Sequence, residues 1–366
     1  MLGPILALVA KELQQLFASP RTRVLLVLPV LLQLVVFPFA TTLEVRNATL
    51  AVFNEDEGVA AIELVQRLTA ASAFSRALFV HDDAMLRATI DGQKALLAIR
   101  IPPDFSRRLA RGEAAPVQAL IDGRRSNAAQ IAFSYAQEIA ADFAAERAGA
   151  RPPATLIVRN LYNPNLDYRW FVLPSLVAII ATVGCLMVTA LSLAREREEG
   201  TFDQLLVTPL TPGLIMLGKS IPGILVAMTQ GAIIAAAAVL LYRVPFTGSL
   251  WLLALAAFAY ALSLCGIGLL ISAVSSSQQQ AFLGVFCFMV PSVVLSGYLA
   301  PVENMPQVLR WIAQANPLTH FIAMAKGLFL KSFGWAEVRG ALAALLAISA
   351  VTLLAARQVF RRQTRS

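Results

Sequence analysis

Three stretches of the sequence carry residue types that could do chemistry. Gly213 to Ser220 (GLIMLGKS) matches the phosphate-cradling pattern G-x-x-x-x-G-K-[ST] at every fixed position. Such a loop works only between a buried strand and a helix start, where successive backbone N–H groups point at phosphate. Here Thr208-Pro209-Leu210-Thr211-Pro212 stands where the strand should be, the four variable positions are bulky and apolar, and a long apolar run follows at once. The match is therefore read as chance, with Lys219 expected to snorkel at a membrane interface.

The second stretch is Arg195-Glu196-Arg197-Glu198-Glu199-Gly200-Thr201, followed by Phe202, Gln204, Leu205 and Leu206. Charges alternating in sign suit a solvated helix end laced with short-range pairs. The amphipathic tail equally suits docking into a partner's groove, and the residues alone leave both readings open. In the third, Ser296-Gly297 leads through Pro301, Glu303, Met305 and Pro306 to Trp311 and Asn316-Pro317. Non-helical backbone at membrane depth is tolerated only where protein or a water-filled cavity satisfies its polar groups. This segment should thus pack on protein or line a cavity, unless it is an outer-surface loop with interfacial aromatics.

No catalytic set is assembled. His81 and His320 lie far apart, and neither G-x-S-x-G nor H-E-x-x-H occurs. Cys185, Cys265 and Cys287 all fall inside apolar runs, which supports neither a disulfide framework nor a metal site. A formal charge of +8 could suggest nucleic acid, but no Lys/Arg-rich block with interleaved aromatics is present, so none is expected as a partner.

The elements that must position these residues are dictated by composition. At 58% hydrophobic and 14% charged residues the chain lies outside the soluble range, which points to lipid. A bilayer core needs roughly 20 apolar residues per helix. Six stretches qualify: 24–43, 171–194, 221–242, 250–272, 280–300 and 338–356. Lys11, Arg21 and Arg23 precede the first, and Arg357, Arg361, Arg362 and Arg365 follow the last, so the positive-inside rule puts both termini in the cytoplasm. Asn316 to Leu330 is short, opens at Pro317 and holds His320 and Lys326; it is expected to be re-entrant or interfacial rather than a seventh span.

Residues 1–23 should form an interfacial amphipathic helix, or simply a cytoplasmic lead into the first span. Ile5, Leu6, Val9, Leu13 and Leu16 line one face, with Lys11, Glu12, Gln14 and Gln15 mostly on the other. Residues 44–170 hold 15 acidic and 15 basic side chains, a neutral, water-soluble domain. Short strands are expected at Thr49–Asn54, Ala77–Val80, Lys94–Ile101, Val117–Asp122 and Thr155–Val158. Helices are expected over 59–72 and 126–148, the latter running Ile131, Tyr135, Ile139 and Phe143 at intervals of four. That order implies an α/β domain inserted between the first two of six transmembrane helices. Phe282, Phe286 and Met289, with Phe288 and Tyr298, offer adaptable apolar surface that could line a substrate route or merely pack.

Several of these segments together resemble the bacterial type-2 ABC transporter permeases with a large extracytoplasmic domain, a subgroup often associated with drug efflux. They are Lys11-Glu12 and Ser19-Pro20-Arg21; Leu50 to Asp56; Ile101 to Phe105; Asn163-Pro164; Arg195 to Thr201 with Gln204 to Pro209; Gly218-Lys219; Val244-Pro245; Gln278 to Ala281; and Ser296-Gly297 through Pro306. The resemblance implies that 195–220 is a coupling segment, with Arg195, Glu196, Arg197, Glu198, Glu199, Gly200, Thr201 and Gln204 contacting a separate ATP-binding subunit and the N-terminal helix supporting it. It also implies re-entrant helices over 301–337. ATP and magnesium would sit on the partner ATPase, and this chain would bind no cofactor and catalyse nothing itself. The expected assembly adds a second permease, identical or paralogous, a periplasmic adaptor, and membrane lipid, in the bacterial inner membrane. The rival reading is a membrane-anchored scaffold whose outer domain recruits a periplasmic partner.

Overall fold

The computed structural model describes residues 2–18, 20–40, 48–122, 124, 126–147, 161–164, 167–202, 204 and 211–363. The chain divides into two compact units, Met1–Ala40 with Asn160–Ser366, and Thr41–Arg159.

The first unit is helical: α1 (Leu2–Ala18) and α2 (Pro20–Ala40) are followed, after the second unit's elements α3 to α6, by α7 (Tyr168–Glu198), α8 (Pro212–Leu240), α9 (Leu250–Val274), α10 (Gln278–Leu295), α11 (Gln307–Gln314), α12 (Pro317–Leu330) and α13 (Trp335–Gln363). Among the described residues five helices, α7 to α10 and α13, are long and apolar enough to cross a membrane; α1 and α2, bent by 69° at their junction, raise that to six if counted as one span. At 14 residues α12 falls short.

The axis of this unit is α7, buried along almost its whole length from Val172 to Ala194. Hydrocarbon gives helices no hydrophobic reason to associate, so close packing and polar pairs must hold them together. Small residues allow it. A Cβ on Gly223 would meet Thr189 Cγ2 at 2.5 Å, and one on Gly268 would meet Thr189 Oγ1 at 1.9 Å, so α8 and α9 both press their backbones against one turn of α7. Thr182 and Tyr260 share a 2.5 Å hydrogen bond deep in this packing, and the Tyr260 ring stacks on Phe321 of α12 at 4.5 Å. By contrast few residues of α10 and α13 are fully buried.

The second unit contains β1 (Ala48–Asn54), α3 (Val59–Ala70), β2 (Phe74–Phe79), α4 (Asp83–Asp91), β3 (Leu97–Ile101), α5 (Phe105–Ala110), β4 (Gln118–Ile121) and α6 (Ser126–Arg147). Its sheet has the order β2-β1-β3-β4, with β1 parallel to both neighbours and β4 antiparallel to β3. The central strands are apolar because both faces are covered: Leu50, Val52, Leu97 and Ile99 pack in one cluster, Ala51, Phe53 and Ala98 in another. The strand expected at Ala77–Val80 sits at Phe74–Phe79, and the one expected at Lys94–Ile101 begins at Leu97. The face of α6 also differs from expectation. Its buried stripe runs through Ala129, Ala132, Ala136 and Phe143, leaving Tyr135 exposed, because small alanines let the helix approach the sheet. Thr155–Val158 lies outside the described residues.

One anchor holds this unit's first turn. Asp56 accepts from Ser106 N at 2.5 Å and Gly58 N at 2.9 Å, tying the exit of β1 to the start of α5. Gly58 is required by that approach, since its Cβ would stand 2.2 Å from Ser106 Oγ. Burial pushes the Asp56 carboxyl up, but those N–H groups and the nearby Arg107 guanidinium outweigh it and hold it below the ordinary carboxylate range.

Candidate functional site

The charged stretch at 195–201 begins as the last turn of α7, and its sequence explains where the helix stops. Gly200 takes φ +70°, the left-handed conformation that glycine adopts without a Cβ penalty. Thr201 N then bonds to Glu196 O at 2.9 Å and Gly200 N to Arg197 O at 3.2 Å, the paired closing bonds of a Schellman motif. Glu-Gly-Thr is therefore a helix terminator, and it fixes the direction in which the chain leaves the bundle.

Immediately inside that terminator lies a buried ionic network drawn from three helices. Lys219 of α8 is 1% exposed; its Nζ meets Glu12 Oε1 of α1 at 2.5 Å, Ser192 Oγ of α7 at 2.9 Å and Glu196 Oε1 at 3.6 Å. Ser192 Oγ donates to Glu12 Oε2 at 3.0 Å. Lys11 Nζ reaches Glu196 Oε1 at 2.9 Å from the half-exposed side, and Thr201 Oγ1 donates to Glu196 Oε2. Two ammonium and two carboxylate groups thus balance, and every buried oxygen has a donor, the condition under which a desolvated ion cluster is tolerable. A Cβ on Gly218 would stand 2.6 Å from Leu8 Cδ2, which is how α1 comes near enough to α8 for Glu12 to reach. Leu8, Leu193, Ile215 and Met216 of the same three helices join Leu269, Ala356 and Phe360 in one apolar cluster.

The neighbouring charges tie the same turn to another part of the bundle. Arg197 Nη1 donates to Ala273 O and Ser275 O, both at 2.8 Å, where α9 ends, and its guanidinium lies over the Phe202 ring at 5.0 Å. Phe202 in turn meets Phe360 of α13 edge-on at 5.9 Å. Glu198 accepts from Gln278 N at 2.8 Å, placing a carboxylate at the positive N-terminus of α10. Arg195 is half-buried, while Glu199 and Gln204 are exposed; 205–210 lie outside the described residues.

Two expectations are corrected here. Lys219 does not snorkel: the helix interior of α8 holds it in the bundle, and two carboxylates supply the charge that water would have supplied. Glu12 does not lie on the wet face of α1. The buried stripe of that helix is Ile5, Leu8, Val9, Glu12 and Leu16, while Leu6 is 64% exposed, since helical spacing rather than polarity decides which side chains face the bundle. Lys219 and Ser192 were missed as site residues. Their signals were available: a lysine embedded in an apolar helix, and a serine one turn before Glu196 on the same face.

The proline-rich segment forms a second locus. Ser296 is buried with its Oγ donating to Val293 O at 2.7 Å, and Gly297 takes φ +81°. Pro301 precedes a single 3-10 turn (Val302–Asn304) holding Glu303; Met305 O accepts from Arg310 Nε at 2.8 Å, and Pro306 opens α11. Asn316 caps α12 at Leu318 N and donates to Ser292 O at 2.7 Å, with Pro317 at the first helical position. Phe282 and Phe286, whose rings lie 5.0 Å apart, are exposed on α10, with Met289 half-buried beside them. Among the described residues no group of His, Cys, Asp and Glu is placed to hold a metal ion.

Residues 21–357 match the family described as ABC-2 family transporter protein. Over 359 residues the sequence is 50% identical to "Probable multidrug ABC transporter permease YbhR" of Escherichia coli K12, covering 97% of this chain and 98% of that one. It is 31% identical over 283 residues to "Inner membrane transport permease YhhJ" of the same organism, covering 75% of each chain. A further relative there, "Probable multidrug ABC transporter permease YbhS", is 29% identical over 331 residues, or 88% of each chain.

Proposed function

Because this chain belongs to the ABC-2 family of transporter proteins and is one of its multi-pass membrane permeases, we propose that it forms the transmembrane half of an ATP-driven exporter, energised by a separate ATP-binding subunit that docks at the end of α7. On this reading residues 24–43 supply the first of six spans behind the interface helix α1, both termini face the cytoplasm of a bacterial inner membrane, and residues 44–170 form an extracytoplasmic domain. A second permease completes the pathway, and a periplasmic adaptor extends it. The cargo is a hydrophobic or amphipathic molecule, drug-like or lipid-like, and the word multidrug in two relatives' names favours the former. ATP and magnesium belong to the partner.

The observation that carries the proposal is the buried network of Glu12, Glu196 and Lys219 behind an exposed charged turn. A nucleotide-driven partner shifts a permease only if it contacts two permease states unequally. A turn that frayed under load would absorb the displacement. Here Glu196 is joined to α1 and α8, Arg197 to the end of α9 and Glu198 to the start of α10. A push on the 195–204 segment is thereby delivered to four helices at once.

The test replaces Glu196 and Glu198 together by Gln in the full assembly reconstituted in vesicles. The variant is expected to insert and to sustain ATP hydrolysis while export is lost; export at the full rate would refute the coupling role.

A further inference from the structure

At the opposite end of α7 a second embedded ammonium is handled differently. Lys326, half-buried on α12, places its Nζ 3.5 Å from the centroid of Phe171, in the first turn of α7. Phe171 also stacks on Tyr168 at 5.6 Å and on the buried Tyr298 at 6.3 Å. Lys331, which caps the C-terminus of α12, lies over the Tyr162 ring at 5.4 Å. Among the described residues neither lysine has a carboxylate within ion-pair distance, and the nearest acidic residue of that turn, Asp167, is engaged by Arg169.

An ammonium taken out of water needs compensation, and an aromatic face supplies only part of it. This protein gives Lys219 two carboxylates when it buries a lysine as part of the scaffold. Leaving the half-buried Lys326 on an aromatic ring keeps its remaining hydrogen-bonding capacity open to an anion. Depth selects its source. Tyr168, Trp170 and Phe171 begin α7, and a cluster of amphipathic aromatics at a span's end marks the level of lipid headgroups. We propose that Lys326, floored by Phe171, binds the phosphate of an anionic lipid headgroup. The site is independent of the coupling assignment.

Native mass spectrometry of the full-length protein in detergent, titrated with dioleoyl phosphatidylglycerol or dioleoyl phosphatidylcholine, tests it. The unaltered protein should bind its first phosphatidylglycerol about tenfold more tightly than phosphatidylcholine, the scale of one charge-assisted contact. Lys326→Met should abolish that preference, and Lys326→Arg should keep it. Failure of excess inorganic phosphate to compete supports the lipid source, whereas displacement by it would assign the site to a soluble phosphate and overturn the lipid assignment. Equal affinity for both lipids, or a preference that survives Lys326→Met, overturns the proposal outright. Should Lys326→Met not fold, the unaltered protein's preference and its loss at high salt decide, with Lys326→Gln as the second variant.

Discussion

The two ends of α7 each present an embedded lysine, and the contrast between them separates scaffold from ligand-facing chemistry. Phe171 and Glu196 are 25 positions apart on one helix, about 37 Å at 1.5 Å per residue. At the Glu196 end, Lys219 is fully buried, paired with two carboxylates and hydrogen-bonded to a serine. At the Phe171 end, Lys326 is half-buried and, among the described residues, meets an aromatic face and no carboxylate. Burial alone does not distinguish these roles. The discriminating feature is whether the chain supplies its own counter-charge, because a group completed internally can only hold helices together, while one left incomplete can still accept a partner.

That comparison is broken most directly at Lys219. Replacing it by Met leaves Glu12 and Glu196 buried with only Lys11 to compensate, a loss of roughly 3–5 kcal/mol by the usual cost of orphaning a buried charge. Thermal unfolding in detergent should show it as a large fall in Tm. Adding Glu12→Gln to Lys219→Met removes one orphaned charge and should restore a substantial part of that loss. If the single variant melted like the unaltered protein, the ion network would not be structural.

The next effect lies in the second unit, where a buried carboxylate is satisfied by backbone rather than by an ion. Asp56 is held below the ordinary carboxylate range, so it binds protons less readily folded than unfolded, and its contribution is present above about pH 4 and lost as the pH falls through the folded value. Asp56→Asn should cost about 2 kcal/mol, the scale of hydrogen bonds to a charged group. Hydrogen exchange at Ser106 and Gly58, corrected for intrinsic rates, should lose protection on acidification in the unaltered chain and show no such step in the variant.

A smaller effect is expected at the terminator of α7. Nothing lies within 4 Å of a Cβ at Gly200, so Gly200→Ala tests backbone conformation alone, at about 1 kcal/mol for a left-handed alanine. Its stability cost should be slight beside that of Lys219→Met. If the turn transmits force, however, export should fall by more than the stability change accounts for, as measured by transport per ATP hydrolysed.

Much of the helical unit was legible because the bilayer converts composition into length: long apolar runs such as 171–194 had to be helices. The candidate site was only half legible. Arg195 to Thr201 announced itself by charge density, but Lys11 stands 185 positions from Glu196, and Glu12 stands 180 from Ser192 and 207 from Lys219, and no local pattern encodes such pairings. Sorting α1 by polarity misled, since it sent Glu12 to solvent although its spacing from Ile5, Leu8 and Leu16 put it on the buried stripe. The short helices α4 and α5 were overlooked because nine and six residues carry too few turns to establish a period.

The smallest effect is also the one that sharpens the comparison most, because its sign is reversed. In detergent stripped of anionic lipid, Lys326 bears the cost of partial burial against only a ring face, so Lys326→Met should change stability by less than about 1 kcal/mol and in the stabilising direction. Adding phosphatidylglycerol should then raise the Tm of the unaltered protein and leave the variant's unmoved, since a ligand stabilises only the form that binds it. Were Lys326→Met as damaging as Lys219→Met with or without lipid, both lysines would be scaffold, and the absence of a carboxylate would carry no information about a ligand.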